Sequence, residues 1–476
     1  MKKVLTILLV LTQTLAWSQD NYCGTEMSED QMTWLRNWQL ENLSIAGSTR
    51  EDDIIYVPLK VHVVGNDEGG GYISLNILMQ DICDLNDQFA PTGFYFYIYE
   101  GINYINNSDY YNHDWLNGAY MMSENNVANV VNMYFVGDPA GNCGYFSPSG
   151  NAMAVANACA GIGNSTIAHE LGHFFSLPHT FYGWEWGTPS LSEQEQVDGD
   201  NCVFAADGFC DTPPDYAPYR WNCSGPPTFT DPDGVEFQPD GTYYMSYSND
   251  ECTDKFSPLQ QEAMIANING PRDELLAYDP IVITDVDTTT LLFPEDLQEN
   301  LFSNYAELSW ASVENAEAYI VLVSLTVNFT AIAASIYTTD TSAIITNLLP
   351  EKTYRWKVKV VGEGNTCEGY NTYRTFSTGA ETFSPTSIED IDGTAAMQLY
   401  PNPVALGGMV NVTVDGQMDG QWQVRMMDIT GRQVMNSTET MAQGRLQLEM
   451  PATQAGMYII QLSNGDKFFQ SAIQVN

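Results

Sequence analysis

Three of the chain's five histidines fall in one short run, His169-Glu170-Leu171-Gly172-His173-Phe174-Phe175-Ser176-Leu177-Pro178-His179. On a helix, His169 and His173 are one turn apart, so both imidazoles leave the same face and can share an ion. Glu170 stands beside that face, where a carboxylate can take a proton from water and return it to a leaving group. Catalytic zinc takes three protein ligands and keeps one position open. His179 follows His173 by too much for a continuous helix to bring it back. The chain is therefore expected to turn after Phe175, and Pro178 fits a helix that has already ended. The predicted chemistry is hydrolysis by metal-activated water, with His169, His173 and His179 on zinc and Glu170 as general base. The other two histidines, His62 and His113, read as ordinary strand and loop residues.

The elements that must position this run come from a long chain. Its 476 residues suit two or three domains. Lys2, Lys3, the apolar stretch from Val4 to Leu15 and Ala16-Trp17-Ser18 read as a secretory signal, residues 1–18. No later stretch is long and apolar enough for a membrane span. Residues 19–50 are polar, with a short helical pattern from Met32 to Leu43, and suit a propeptide. Residues 51–280 alternate strand-like and helical patterns: a strand from Ile54 to Val64, an amphipathic helix from Ser74 to Gln88, and strands at Phe94 to Tyr99 and Val130 to Phe135. Beyond 281 the helical patterns stop and short β runs with turn signals take over. The expected fold class is multidomain: an α+β catalytic unit followed by two all-β sandwiches, 281–383 and 384–476.

With 17 Lys+Arg against 60 Asp+Glu, the formal charge of -43 opposes binding to nucleic acid and to anionic lipid. Nine cysteines in an exported chain imply disulfides and leave one thiol over, for which Cys23 is the candidate. Preferred bridges are Cys143 with Cys159 and Cys223 with Cys252, then Cys202 with Cys210. A Cys23 to Cys83 bridge is the competing arrangement.

The histidine run resembles the extended zinc motif of metzincins and, within them, of the pappalysin family; the resemblance covers about residues 50 to 280. It implies a methionine turn at Tyr244-Met245-Ser246-Tyr247, with Met245 as the apolar floor of the metal site and Tyr247 stabilising an oxyanion. Asp207-Gly208-Phe209-Cys210-Asp211-Thr212-Pro213-Pro214 resembles a family segment too. With Asp198 and Asp200 it offers calcium ligands at Asp207, Asp211 and Thr212; turn-forming carboxylates are the other reading. Ser176 stands where the family has glycine, which a sharp turn at positive φ would favour. Should His179 not ligate, Glu193 or Glu195 is the alternative third ligand.

The resemblance also implies that Asp250 lines the pocket for the first residue beyond the scissile bond, giving cleavage on the N-terminal side of Arg or Lys. Cys23-Gly24-Thr25 resembles the family's propeptide motif, in which the thiolate occupies the open metal position until the propeptide is cut, here near Thr49-Arg50. Asn347 to Trp356 resembles one corner of fibronectin type III sandwiches, with Tyr354 as the corner tyrosine. Leu399-Tyr400-Pro401-Asn402-Pro403, Asp428-Ile429-Thr430-Gly431-Arg432 and Ala455 to Leu462 resemble the sorting domain of the type IX secretion system, which implies that machinery as a partner and a secreted or cell-surface product. The expected function is a secreted zinc endopeptidase acting on protein or peptide substrates. A secreted adhesin with a structural metal site, and a zinc hydrolase of other carbonyl compounds, are the alternatives.

Overall fold

The computed structural model describes residues 21–42, 54–278 and, with short interruptions, 281–382 and 397–475. The signal segment, the Thr49-Arg50 cleavage point, the 384–394 linker and the Ile429 to Arg432 part of the second sorting block lie outside the described residues. The chain forms two compact units. One runs through Asp287 and adds Glu314–Ala318 and Val360–Gly369; the other comprises Thr288–Val313, Tyr319–Lys359 and Tyr370–Asn476.

The first unit is built on a six-stranded sheet. Its elements in chain order are β1 (Asn21–Cys23), α1 (Glu29–Asn42), β2 (Ile55–Gly65), α2 (Leu75–Phe89), β3 (Phe94–Asn106), α3 (Trp115–Asn125), β4 (Val131–Val136), β5 (Asn142–Ser147), β6 (Ala152–Ala156), α4 (Thr166–Phe174) and α5 (Pro258–Ile268). The strand order is β1-β5-β6-β4-β2-β3. β2 is parallel to both neighbours and buried from Val57 to Gly65, which explains its mostly apolar sequence, with Lys60 and His62 the polar residues buried in it. Leu75, Leu78, Met79, Ile82, Leu85 and Phe89 form the buried stripe of α2, at the spacing of one helix face. α2 lies against β3, α4 lies against β5 and β6, and the two helices touch.

β5 is the antiparallel member, running against β6. Its other side carries β1, which adds in parallel with Asn21 opposite Asn142 and Cys23 opposite Gly144. The residues read as a propeptide with a short helical pattern thus contribute a strand as well as a docked helix. Gln31 Nε2 of α1 donates to His173 O at 3.0 Å, and Arg36 Nη2 donates to Ala206 O at 2.8 Å. The polarity that disguised this segment comes from side chains that bond to backbone rather than bury in a core.

Between Phe175 and Ser257 regular structure is sparse, and crosslinks stand in for it. Cys202–Cys210 and Cys223–Cys252 lie within this stretch, and Cys143–Cys159 braces the strands before it, so all three preferred bridges are present. The fourth joins Cys83 to Cys367 across 284 residues, which leaves Cys23 free and removes the Cys23 to Cys83 alternative.

The second unit is all β. One pair of sheets has three strands (Leu291–Phe293, Ala306–Trp310, Ser342–Ile345) and five (Gln298–Leu301, Arg374–Thr378, Thr353–Gly362, Ala316–Ser324, Ile332–Thr338), with Trp310, Trp356 and Tyr354 fully buried. Tyr354 Oη accepts from Leu349 N at 2.8 Å, the upstream tie expected of a corner tyrosine. The other pair has three strands and four, around Trp422, Val410, Val412, Val424, Ile460 and Ile473. Among the described residues no helix is long and apolar enough to cross a membrane.

Candidate metal centre

α4 carries His169, Glu170 and His173, all completely buried. The helix ends in a turn that matches the needs of His179. Ser176 N donates to His173 O and Leu177 N to Gly172 O, both at 2.9 Å, and Ser176 sits at φ +70°. This is the paired-bond helix ending that reverses the chain through one left-handed residue. A non-glycine residue there costs about 1–2 kcal/mol. Ser176 Oγ accepts from the Asn267 amide at 3.0 Å, a contact glycine would forgo. The expected turn after Phe175 is therefore present, with serine tolerating the left-handed conformation.

The three imidazoles converge through Nε2. His173 Nε2 lies 3.2 Å from His169 Nε2 and 3.1 Å from His179 Nε2. Each Nδ1 faces an acceptor: Tyr244 O at 2.6 Å for His169, Leu177 O at 2.7 Å for His173 and Glu185 Oε1 at 2.8 Å for His179. Those acceptors hold the proton on Nδ1, so three Nε2 lone pairs point at one another. Burial, with the neighbouring imidazoles, pushes His169 and His173 well below the ordinary histidine range, so protonation does not relieve the repulsion. A cation does. Cys23 Sγ joins the three nitrogens, and all four atoms lie within 4.8 Å of one another, the one such group among the described residues. The partner of each Nδ1 is the orienting contact typical of metal-bound histidine, and sequence reasoning missed Glu185.

Glu170 Oε2 accepts from Thr25 Oγ1 at 2.8 Å and lies 3.6 Å from Cys23 Sγ. Its Oε1 is buried with no partner. Burial raises the Glu170 carboxyl to about 7, partly opposed by Thr25 and Cys23. Met245, fully buried, lies beneath α4: a side chain at Gly172 would run into its Sδ, so a glycine inside the helix allows the floor to approach. Tyr247 stacks edge-on against His179 and donates from Oη to Cys23 O at 3.3 Å.

The carboxylates proposed for calcium separate. Asp207 is buried and bonds Thr212 Oγ1 at 3.1 Å. Asp211 instead caps α5, accepting from Ser257 Oγ at 2.7 Å and Leu259 N at 2.8 Å, and Asp198 accepts from Asp200 N within a local turn. Asp211 and Asp198 thus make the kind of bonds that the turn-forming alternative expects. Glu195, the alternative zinc ligand, lies with Asp207 and Asp215 and not with the histidines; Glu193 bonds Ser190 in an exposed turn. Asp250 carries a partner that no sequence signal announced: Arg220 Nη2 donates to its Oδ2 at 2.6 Å. His62, between Asn132 and Asn103 and stacked on Tyr134, and His113, bonded to Tyr110 O and Tyr145 Oη, have the structural roles read for them.

A buried three-histidine group with an adjacent carboxylate is a donor set that can hold a metal ion with a base beside it. The chain is similar to an extracellular metalloprotease of Colletotrichum graminicola, 28% identical over 240 residues, which cover 46% of this chain and 78% of that protein. An extracellular metalloprotease of Sordaria macrospora is 25% identical over 280 residues, covering 52% and 88%. Residues 398–476 match the secretion system C-terminal sorting domain, which marks the protein for secretion or the cell surface. A solved structure of fibronectin(III)-like modules of Clostridium thermocellum CbhA aligns with 40% of this chain and 93% of its own, at 12% identity and a TM-score of 0.16.

Proposed function

We propose that the protein is a secreted zinc endopeptidase held latent by its own N-terminal segment. The observation that carries the reading is the convergence of three Nδ1-anchored imidazoles beside a buried carboxylate whose Oε1 has no partner. His169, His173 and His179 hold the ion, and the donor set of three imidazoles with one further position suits zinc. When bound, zinc supplies Lewis-acid polarisation of the substrate carbonyl and acidification of water. Glu170 takes the proton of the attacking water and delivers it to the leaving amine. Tyr247 Oη donates to the carbonyl oxygen as negative charge develops there, the same kind of bond that it now gives Cys23 O. Extended substrate adds as a strand to β5, the edge that β1 covers in the latent chain.

Two measurements test this. Elemental analysis of the full chain is expected to find one zinc, lost in His173→Ala. After cleavage within 43–53, casein digestion is expected to stop with a chelator and return with zinc. A folded, zinc-loaded, activated chain that cuts no protein would favour the adhesin alternative.

A further inference from the structure

Tyr22, next to Cys23, fills the pocket that Asp250 lines. Its side chain is 7% exposed. The ring meets His169 and Tyr247 edge-on, at centroid distances of 5.2 and 5.3 Å, while the Arg220 guanidinium covers it with Cζ 3.8 Å from the centroid. At the pocket's end Tyr22 Oη lies 3.1 Å from Ser165 Oγ and donates to Asp250 Oδ1 at 3.3 Å. Asp250 is already satisfied: Oδ1 accepts from Ser165 Oγ at 2.7 Å and Ser165 N at 3.2 Å, and Oδ2 accepts from Arg220 at 2.6 Å.

The pair does not depend on Tyr22. Arg220 also donates to Ser248 O, Trp221 N donates to Tyr247 O at 3.3 Å, and Asn249 N to Trp221 O at 2.9 Å. The Cys223–Cys252 bridge fastens the same two segments to each other. A basic substrate side chain entering here would meet a resident cation and a carboxylate already paired, and would have to displace one from the other. An aromatic ring gains a cation–π face, and a phenol adds a donor to Asp250.

We propose that this pocket selects tyrosine, not arginine or lysine, with Arg220 as the specificity-determining residue, so that the activated enzyme cleaves on the N-terminal side of tyrosine. This rests on the endopeptidase reading and replaces the basic preference that the sequence implied. Tyr22 is then an internal copy of the preferred side chain, holding the latent segment in the site it blocks.

The test is a set of quenched peptides differing only in the residue after the scissile bond, given to the activated zinc-loaded chain and to Arg220→Ala. In the wild type, kcat/KM for tyrosine should exceed that for arginine by about tenfold or more, with phenylalanine between. Arg220→Ala should bring arginine level with or ahead of tyrosine. Arginine or lysine leading in the wild type, or an unchanged ranking in Arg220→Ala, overturns the proposal. Calorimetric affinity of the activated chain for the pentapeptide Asn21–Thr25 and for its Tyr22→Arg form decides without turnover: tighter binding of the tyrosine form supports the pocket, and equal or weaker binding overturns it. Absence of all cleavage would remove the endopeptidase reading alone, because the affinity comparison still judges the pocket.

Discussion

Glu170→Gln is expected to lower kcat/KM on any cleaved peptide by about 10²–10⁴-fold while leaving zinc content and Tm close to those of the wild type. In free energy this is about 3–5 kcal/mol of lost transition-state stabilisation. The amide matches the carboxylate in shape and keeps an oxygen for Thr25 Oγ1, so the latent packing survives. What it loses is the ability to accept and hand on a proton. The three imidazoles and their Nδ1 partners do not involve the Glu170 side chain, so metal binding should be untouched. Removal of a negative charge from a fully buried position also relieves a desolvation cost, which is why stability should not fall. Activity within tenfold of wild type would show that another group carries the proton. Loss of zinc together with activity would place Glu170 among the residues that build the site.

The parts of this centre that were legible in the sequence are those fixed by short-range geometry. The spacing of His169 and His173 places two ligands on one helix face whatever surrounds the helix. Pro178 fitted a helix already ended and so the return of His179, whereas Ser176, standing where glycine would favour the turn, argued the other way. Strand β2 was legible because burial on both faces calls for a mostly apolar segment, here interrupted only by Lys60 and His62. Contacts between distant segments were not. Arg220 reaches Asp250 from 30 residues away out of irregular backbone, where neither periodicity nor spacing carries information. Asp215, which accepts from Thr180 and Ser246 and so ties the histidine turn to the methionine turn, was missed for the same reason. Cys83 and Cys367 lie 284 residues apart, and counting cysteines cannot choose between partners at such range. Asp198 and Asp211 show why oxygen-rich composition alone could not choose between a cation site and a turn: both accept backbone N–H groups, which the composition does not reveal.

Cys23→Ala is expected to convert the full chain from latent to active without proteolysis, with a casein-cleaving rate at least about tenfold above that of the uncut wild type. The thiol lies among the three histidine nitrogens and beside Glu170, at the place water and substrate must enter. Without metal, burial and the Glu170 carboxylate hold the thiol well above its ordinary range. A bound cation has the opposite effect and favours the thiolate. Alanine removes the sulfur while leaving the β1 backbone free to pair with β5, so the comparison isolates ligation from simple coverage of the edge. The rest of the segment still has anchors in Tyr22, Thr25, Gln31 and Arg36. The variant should therefore be active yet slower than the chain cut within 43–53, and Cys23→Ala with Tyr22→Ala should approach the cut chain. An uncut Cys23→Ala chain as inactive as the wild type would mean that strand addition and the Tyr22 anchor suffice for latency, and that the sulfur is incidental to it.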